Sequence, residues 1–214
     1  MPDILIFGGT FDPVHNGHVE VAMAVQNHCY FEHFIFLPCK VPVLKNNAHA
    51  SPQQRLDMLH LALQDYSGYN FEIDEREIAR DSPSYMVTTL EDYRLESGQD
   101  IAITLLMGRD SFAELPRWYN WEKLLQLCNI LVIDRPGYIN FPDPICHLLN
   151  QHETVNLPDL KTQPHGKIYR FKAGRYDYSS TSIRQLLLEN KTNQLPLSVS
   201  VKQYINQFNL YTNK

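Results

Sequence analysis

The chain predicts an α/β fold built on a parallel sheet, and three observations carry that prediction. Strand-like apolar runs alternate with helix-like periodicity over most of the 214 residues. Two runs, residues 4–7 and 101–107, are apolar but for Thr104, as strands buried on both faces are. Each is followed at once by glycine, Gly8-Gly9 after the first and Gly108 after the second. Ligands in such sheets bind beyond the carboxyl ends of the strands, where the strand order reverses. These two strands are the expected pair at that point.

The elements follow in order. Residues 3–8 read as the first strand. Residues 17–27 form a helix with Val19, Val21, Ala22 and Val25 on its apolar face. Residues 33–38 are the second strand, and 39–50 a polar loop. Ser51-Pro52-Gln53-Gln54 opens the next helix: Ser51 caps, Pro52 suits the first helical position and Gln54 completes a capping box. Leu56, Leu59 and Leu63 mark its buried face. Residues 69–73 are a third short strand. Pro83-Ser84 opens a helix with Val87, Leu90 and the stem of Arg94 turned inward, ending near Ser97-Gly98. The strand at 101–107 follows, then a helix at 121–127 and a strand at 129–134. Three prolines and a glycine make 136–144 a loop, with a short helix at 145–151. Residues 167–171 are the last strand, and 181–190 and 198–208 the closing helices. No repeat or low-complexity segment interrupts this pattern, so a single domain spanning 1–214 is expected.

Composition narrows the function. Hydrophobic residues are 43% and charged residues 20%, an ordinary soluble globular profile. The net charge of −5 gives no reason to expect a nucleic-acid surface. Cys29, Cys39, Cys128 and Cys146 form no CxxC pair, so a zinc knuckle or redox motif is not supported. Free thiols in a reducing cytosol are the plainer reading. No basic leader and no bilayer-length apolar run is seen, so a cytoplasmic protein without a membrane partner is expected.

The chemistry concentrates just after strands and at helix starts. In Gly8-Gly9-Thr10-Phe11-Asp12-Pro13-Val14-His15-Asn16-Gly17-His18 the first glycines allow a sharp turn and close ligand approach. His15 and His18 stand three apart, with Gly17 leaving the space between them open. A helix N-terminus and two imidazoles suit a phosphate that carries developing charge. An isolated pair would read as a cap and a surface residue; the glycines shift the balance. Ser179-Ser180-Thr181-Ser182-Ile183-Arg184 places hydroxyls before a helix and a guanidinium one turn in, which reads as a cap or as a phosphate site. Lys45 reads as an exposed loop lysine or as a phosphate ligand. Trp118 offers a flat face for stacking, and the helix start near Tyr85 offers N–H groups to an anion. Gly108 permits close approach of a ribose, whose hydroxyls Asp110 can meet. The other seven histidines have no partner spacing and read as structural or surface residues.

The opening block resembles the HxGH signature of the nucleotidyltransferase superfamily. Its longer form, GGTFDPVHNGH, looks like that of the bacterial nicotinate-nucleotide adenylyltransferases. The resemblance runs from Ile6 to Tyr211. It implies a Rossmann-like, doubly wound sheet and transfer of AMP from ATP to nicotinate mononucleotide, giving deamido-NAD and pyrophosphate. By that match His15, His18 and Arg184 are catalytic. Gly8, Gly9, Thr10, Phe11, Gly17, Gly108, Asp110, Arg135, Ser180 and Thr181 bind ATP. Lys45, Ser84, Tyr85, Trp118 and Tyr119 bind the nicotinate nucleotide. The family's proline-proline-histidine-lysine loop is changed here: Pro42 and Lys45 remain, while Cys39, Val43 and Leu44 differ. Trp118 and the start near Tyr85 together favour a nicotinate carboxylate over a neutral amide. No histidine and carboxylate cluster has metal-site spacing, so Mg²⁺ is expected on the ATP phosphates. Another acceptor, nicotinamide mononucleotide or phosphopantetheine, and a catalytically silent ATP binder are the alternatives. A homo-oligomer is compatible with the chain.

Overall fold

The computed structural model describes residues 3–44, 48–134, 140–172, 174, 178–191 and 195–212. Along the chain these form β1 (Asp3–Gly9), α1 (Asn16–Cys29), β2 (His33–Pro38), α2 (Pro52–Leu63), β3 (Phe71–Ile73), α3 (Arg76–Ala79), α4 (Met86–Ser97) and β4 (Ala102–Gly108). There follow α5 (Arg109–Ala113), α6 (Leu124–Leu127), β5 (Asn129–Asp134), α7 (Asp143–His152), α8 (Asp159–Thr162), β6 (Ile168–Lys172), α9 (Ser180–Leu188) and α10 (Val199–Gln207). The sheet order is β3-β2-β1-β4-β5-β6 and every pairing is parallel. The order reverses between β1 and β4, the two apolar runs followed by glycine.

Two apolar layers sandwich the sheet because the strand side chains alternate. Leu5, Phe34, Phe36, Leu106 and Leu131 face Val19 and Ala22 of α1, Met58 and Leu59 of α2, Ile183 of α9 and Val201 of α10. Ile6, Ile35, Leu105, Met107 and Val132 face Val87 and Leu90 of α4, Phe112 of α5, Leu124 of α6 and Ile145 of α7. Burial on both sides is why β1, β2, β4 and β5 read as largely apolar stretches.

The helix ends follow their capping residues. At α2 the Gln54 amide donates to Ser51 Oγ (3.2 Å) and the Ser51 amide to Gln54 Oε1 (2.9 Å), the expected box. Ser179 caps α9 through the Ser182 amide, so that helix starts one residue earlier than expected. Gly98 ends α4 with φ 88, a conformation that favours glycine. The start of α4 differs: Tyr85 is extended and the helix begins at Met86, leaving Pro83 and Ser84 in a preceding turn. The predicted third strand begins two residues later, at Phe71. The helix after the 136–144 segment takes in Asp143 and Pro144. The short pieces α3, α5 and α8 escape a periodicity reading because one turn contains no repeat.

Arg94 is more deeply placed than a stem turned inward. It is 3% exposed, and its guanidinium donates to the carbonyls of Leu127, Gly98, Ile101 and Pro164. It thereby ties the end of α4 to the segments that enter β4, β5 and β6.

Candidate active site

β1 continues through Gly8 and Gly9, which pair with Leu37 and Pro38 of β2. The sharp turn expected at these glycines is made at Phe11 instead, with φ 49. Gly9 is needed for packing: a Cβ there would stand 2.8 Å from the buried Phe11 ring. Met86, the first residue of α4, reaches over Gly8. The two sides of the cleft therefore meet above the end of β1.

His15 is the N-cap of α1 and His18 lies in its first turn. Their ring centroids are 3.7 Å apart. The His15 backbone N–H donates to His18 Nδ1 (3.2 Å). A nitrogen that accepts from an amide carries no proton, so the His18 proton sits on Nε2. That makes Nε2 a donor for a phosphate oxygen. Phe11 stands edge-on to His18, with centroids 5.1 Å apart, and fixes the ring plane. Gly17 leaves space as expected, since a Cβ there would stand 3.1 Å from His15 Nδ1. The helix amides contribute less than the sequence suggested. The Asn16 amide donates to Pro196 O (2.8 Å) and the His18 amide to His15 O (2.9 Å). Donation to a ligand at this point falls mainly to the imidazoles.

α9 leans on the same loop. Ser180 Oγ donates to Pro13 O (3.0 Å), and Arg184 Nη1 to Asp12 O (2.7 Å). Arg184 Nη2 donates to Thr181 Oγ1 (3.2 Å). Ser180, Thr181 and Arg184 thus stand together beside the histidine loop. Thr10 is held from another side. Arg55, 0% exposed, donates to Thr10 O (2.6 Å) and Lys40 O (2.7 Å), tying the exit of β1 to that of β2. Sequence reasoning missed Arg55. The signal was a charged residue beside Leu56 on the buried side of α2. Lys45 and Arg135 lie outside the described residues.

The opposite wall begins at α4. Ser84 Oγ accepts from the Lys40 amide (3.1 Å). The Tyr85 N–H, expected to face a ligand, donates instead to Pro83 O (2.9 Å). The N-cap residue Tyr85 makes no side-chain hydrogen bond to the first turn of α4, which begins at Met86. Tyr85 stacks on Tyr119 at 4.5 Å, and Tyr119 is 54% exposed. Trp118 is half-buried and packs against the core layer beneath α4, so it forms a wall and not a free loop face. Gly108 ends β4 with open space where a Cβ would be, and Asp110 is exposed in the first turn of α5. Arg109 Nη1 donates to Asp134 Oδ1 (3.3 Å) at the end of β5, a pair that sequence reasoning did not single out.

Behind Ser84 lies Glu77, 2% exposed. It accepts from Thr89 Oγ1 (2.7 Å) and is hydrogen-bonded by Ser84. Burial raises its pKa above the ordinary 4.5, and the bonds to Thr89 and Ser84 only partly oppose this. A carboxyl raised on folding binds more protons in the folded state, so the stability it contributes is lost as pH rises from 4.5 through its folded value. Glu77→Gln is therefore expected to flatten the dependence of Tm on pH above 4.5, with the variant gaining on the parent toward neutrality. Parallel melting curves for the two proteins from acid to neutral pH would contradict this.

Among the described residues, no helix is long and apolar enough to cross a membrane. The cytidylyltransferase-like family matches residues 6–186. A protein of Legionella pneumophila (strain Paris), named "Probable nicotinate-nucleotide adenylyltransferase", is 45% identical over 99% of this chain and 100% of its own length. One of the same name from Methylococcus capsulatus is 39% identical over 96% of this chain and 98% of its own. The solved Plasmodium falciparum nicotinic acid mononucleotide adenylyltransferase, complexed with NaAD, superposes with a TM-score of 0.73 over 99% of this chain and 98% of that one. At 18% identity that likeness speaks for the fold. With a signature loop at the reversal between β1 and β4 and full-length relatives of this identity, the chain belongs to the nicotinate-nucleotide adenylyltransferases of the cytidylyltransferase-like family.

Proposed function

We infer that this chain transfers AMP from ATP to nicotinate mononucleotide, yielding nicotinate adenine dinucleotide (deamido-NAD) and pyrophosphate in NAD biosynthesis. The observation that carries the mechanism is the His15–His18 pair, with rings 3.7 Å apart at the strand-order reversal. A phosphate oxygen of the mononucleotide attacks the α-phosphorus of ATP. The bond to the bridging oxygen breaks, and pyrophosphate leaves with that electron pair. No protein nucleophile is needed, so the protein aligns two anions and meets charge as it spreads.

The roles combine the family resemblance with the positions of the described residues. His18 Nε2 donates to an oxygen of the pentacovalent phosphorus, with His15 beside it. Thr181 and Arg184 hold the departing pyrophosphate, supported by Ser180. The backbone at Gly8, Gly9, Thr10, Phe11 and Gly17 lines the ATP path, and Gly108 and Asp110 meet a ribose. The uncapped start of α4 beside Ser84 and Tyr85 receives the nicotinate carboxylate, with Trp118 and Tyr119 as aromatic walls. By the resemblance alone, Lys45 is assigned to the mononucleotide phosphate and Arg135 to the adenylate side.

Among the described residues, no group of three or more His, Cys, Asp or Glu side chains is placed to hold a metal ion. In this reading Mg²⁺ rides on the ATP phosphates, keeps several waters and supplies charge neutralisation there. We read residues 1–214 as one domain acting in the cytoplasm on these two small molecules. Neither a nucleic acid nor a membrane takes part, and self-association is compatible with the site.

The test is pyrophosphate release with ATP and Mg²⁺ in the presence of either nicotinate or nicotinamide mononucleotide. Release favouring the acid by at least about tenfold in kcat/KM is expected, one unpaired polar contact being worth that much. No release with either nucleotide, from folded protein that still binds ATP, would point to a silent binder or another acceptor.

A further inference from the structure

The Asp12 carboxylate is 3% exposed and is a meeting point of distant segments. Its Oδ2 accepts from the His49 amide (2.8 Å). Its Oδ1 accepts from the Ala50 amide (3.1 Å) and from the Tyr211 hydroxyl (2.7 Å), 199 residues away in sequence. The His49 ring is also near, with Nδ1 3.5 Å from Oδ2. Arg184 stands alongside at the outer limit of ion-pair distance, beyond hydrogen-bond reach of the carboxylate. Its Nη1 donates to the Asp12 backbone carbonyl at 2.7 Å, and its approach to Oδ2 is 4.0 Å.

That spacing has a chemical meaning. A guanidinium and a carboxylate this close form a charge-assisted pair unless each is held elsewhere. The carbonyl of Asp12 holds one side of Arg184. Three donors hold the carboxylate, and two of these are backbone amides that cannot be lost by substitution. The third is the Tyr211 hydroxyl. Burial, and next the Asp12 charge, push that phenol well above its ordinary range, so it remains a donor at any working pH.

We propose that Tyr211 is a positioning residue for Arg184. Its hydroxyl keeps the Asp12 carboxylate on the His49 and Ala50 amides and off the guanidinium, whose charge then stays available to the phosphates of ATP. The proposal rests on Arg184 being a phosphate ligand. Without the hydroxyl, Oδ1 keeps only the longer bond from the Ala50 amide, the carboxylate shifts onto Arg184, and the guanidinium is drawn away from ATP.

Tyr211→Phe keeps the buried ring and removes only the donor. The expected result is an ATP KM raised about tenfold with a lower kcat, the size of one charge-assisted hydrogen bond. The KM for nicotinate mononucleotide stays within about twofold, because the α4 side of the cleft is untouched. In the Arg184→Ala background Tyr211→Phe adds no further change in ATP KM, since the two act as one unit. A wild-type ATP KM in Tyr211→Phe overturns the proposal. So do equal KM increases for both substrates, full additivity with Arg184→Ala, or a variant that does not fold, which would assign the hydroxyl to stability alone. Arg184→Ala by itself tests the underlying reading: unchanged ATP KM and kcat there removes Arg184 from the phosphate site whatever Tyr211 does.

Discussion

His18→Ala is expected to lower kcat by about a thousandfold, while the variant melts within a few degrees of the parent. Deleting one preorganised donor aimed at developing charge costs on the order of 10²–10³ in rate. His18 stands at the upper end of that range because its ring is fixed from two sides. Nδ1 accepts the His15 amide, and Phe11 lies edge-on to the ring. The lost bond strengthens only as charge develops on the phosphate, so the effect falls on kcat more than on ATP KM. Stability changes little because the ring is half-buried and leaves no sealed cavity. Single-turnover rates, with melting curves as control, decide the matter. A variant that retains a third or more of the rate would remove His18 from the transition state.

The second large effect concerns stability and leaves chemistry alone. Arg94→Met is expected to destabilise the fold by about 4 kcal/mol. The guanidinium satisfies four carbonyls, those of Leu127, Gly98, Ile101 and Pro164, and pairs with no carboxylate among the described residues. Methionine fills much of the space but strands those acceptors in a site that is 3% exposed. For a chain of this length the loss corresponds to a drop in Tm of about 10 °C. Turnover per folded molecule stays the same, because Arg94 sits at the amino ends of β4, β5 and β6, across the sheet from the histidines. A Tm shift under about 2 °C, or a selective fall in kcat, would contradict this account.

Much of the fold was legible because the strands obey a simple rule. Buried on both faces, β1, β2, β4 and β5 leave largely apolar runs, and Ser51 and Ser179 announce the helices that follow them. The strand order was legible only as far as the β1–β4 pair, through the glycines that follow both. His15, His18, Ser180, Thr181 and Arg184 were readable as residue types suited to phosphate, and the structure brings them to one loop. What escaped was long-range and polar. Nothing local ties Arg55 to the carbonyls of Thr10 and Lys40, or Tyr211 to Asp12. The amides at His18 and Tyr85 were misjudged for a similar reason: their acceptors, the carbonyls of His15 and Pro83, follow from backbone course and not from composition. The turn at Phe11 was hidden because a left-handed phenylalanine is held by packing between Phe7, Phe36 and His18.

The loop after β1 is fastened by segments made long after it. Ser180 reaches Pro13 across 167 residues, Arg184 reaches Asp12 across 172, and Tyr211 reaches Asp12 across 199. A nascent chain can pair β1 with β2 and bury their apolar faces early, yet it has none of these fastenings until its final helices emerge. The loop is therefore fastened last, after most of the sheet has formed. The same geography applies in the mature protein. Opening of α9 and the C-terminal segment would release all three contacts while leaving every strand pairing intact.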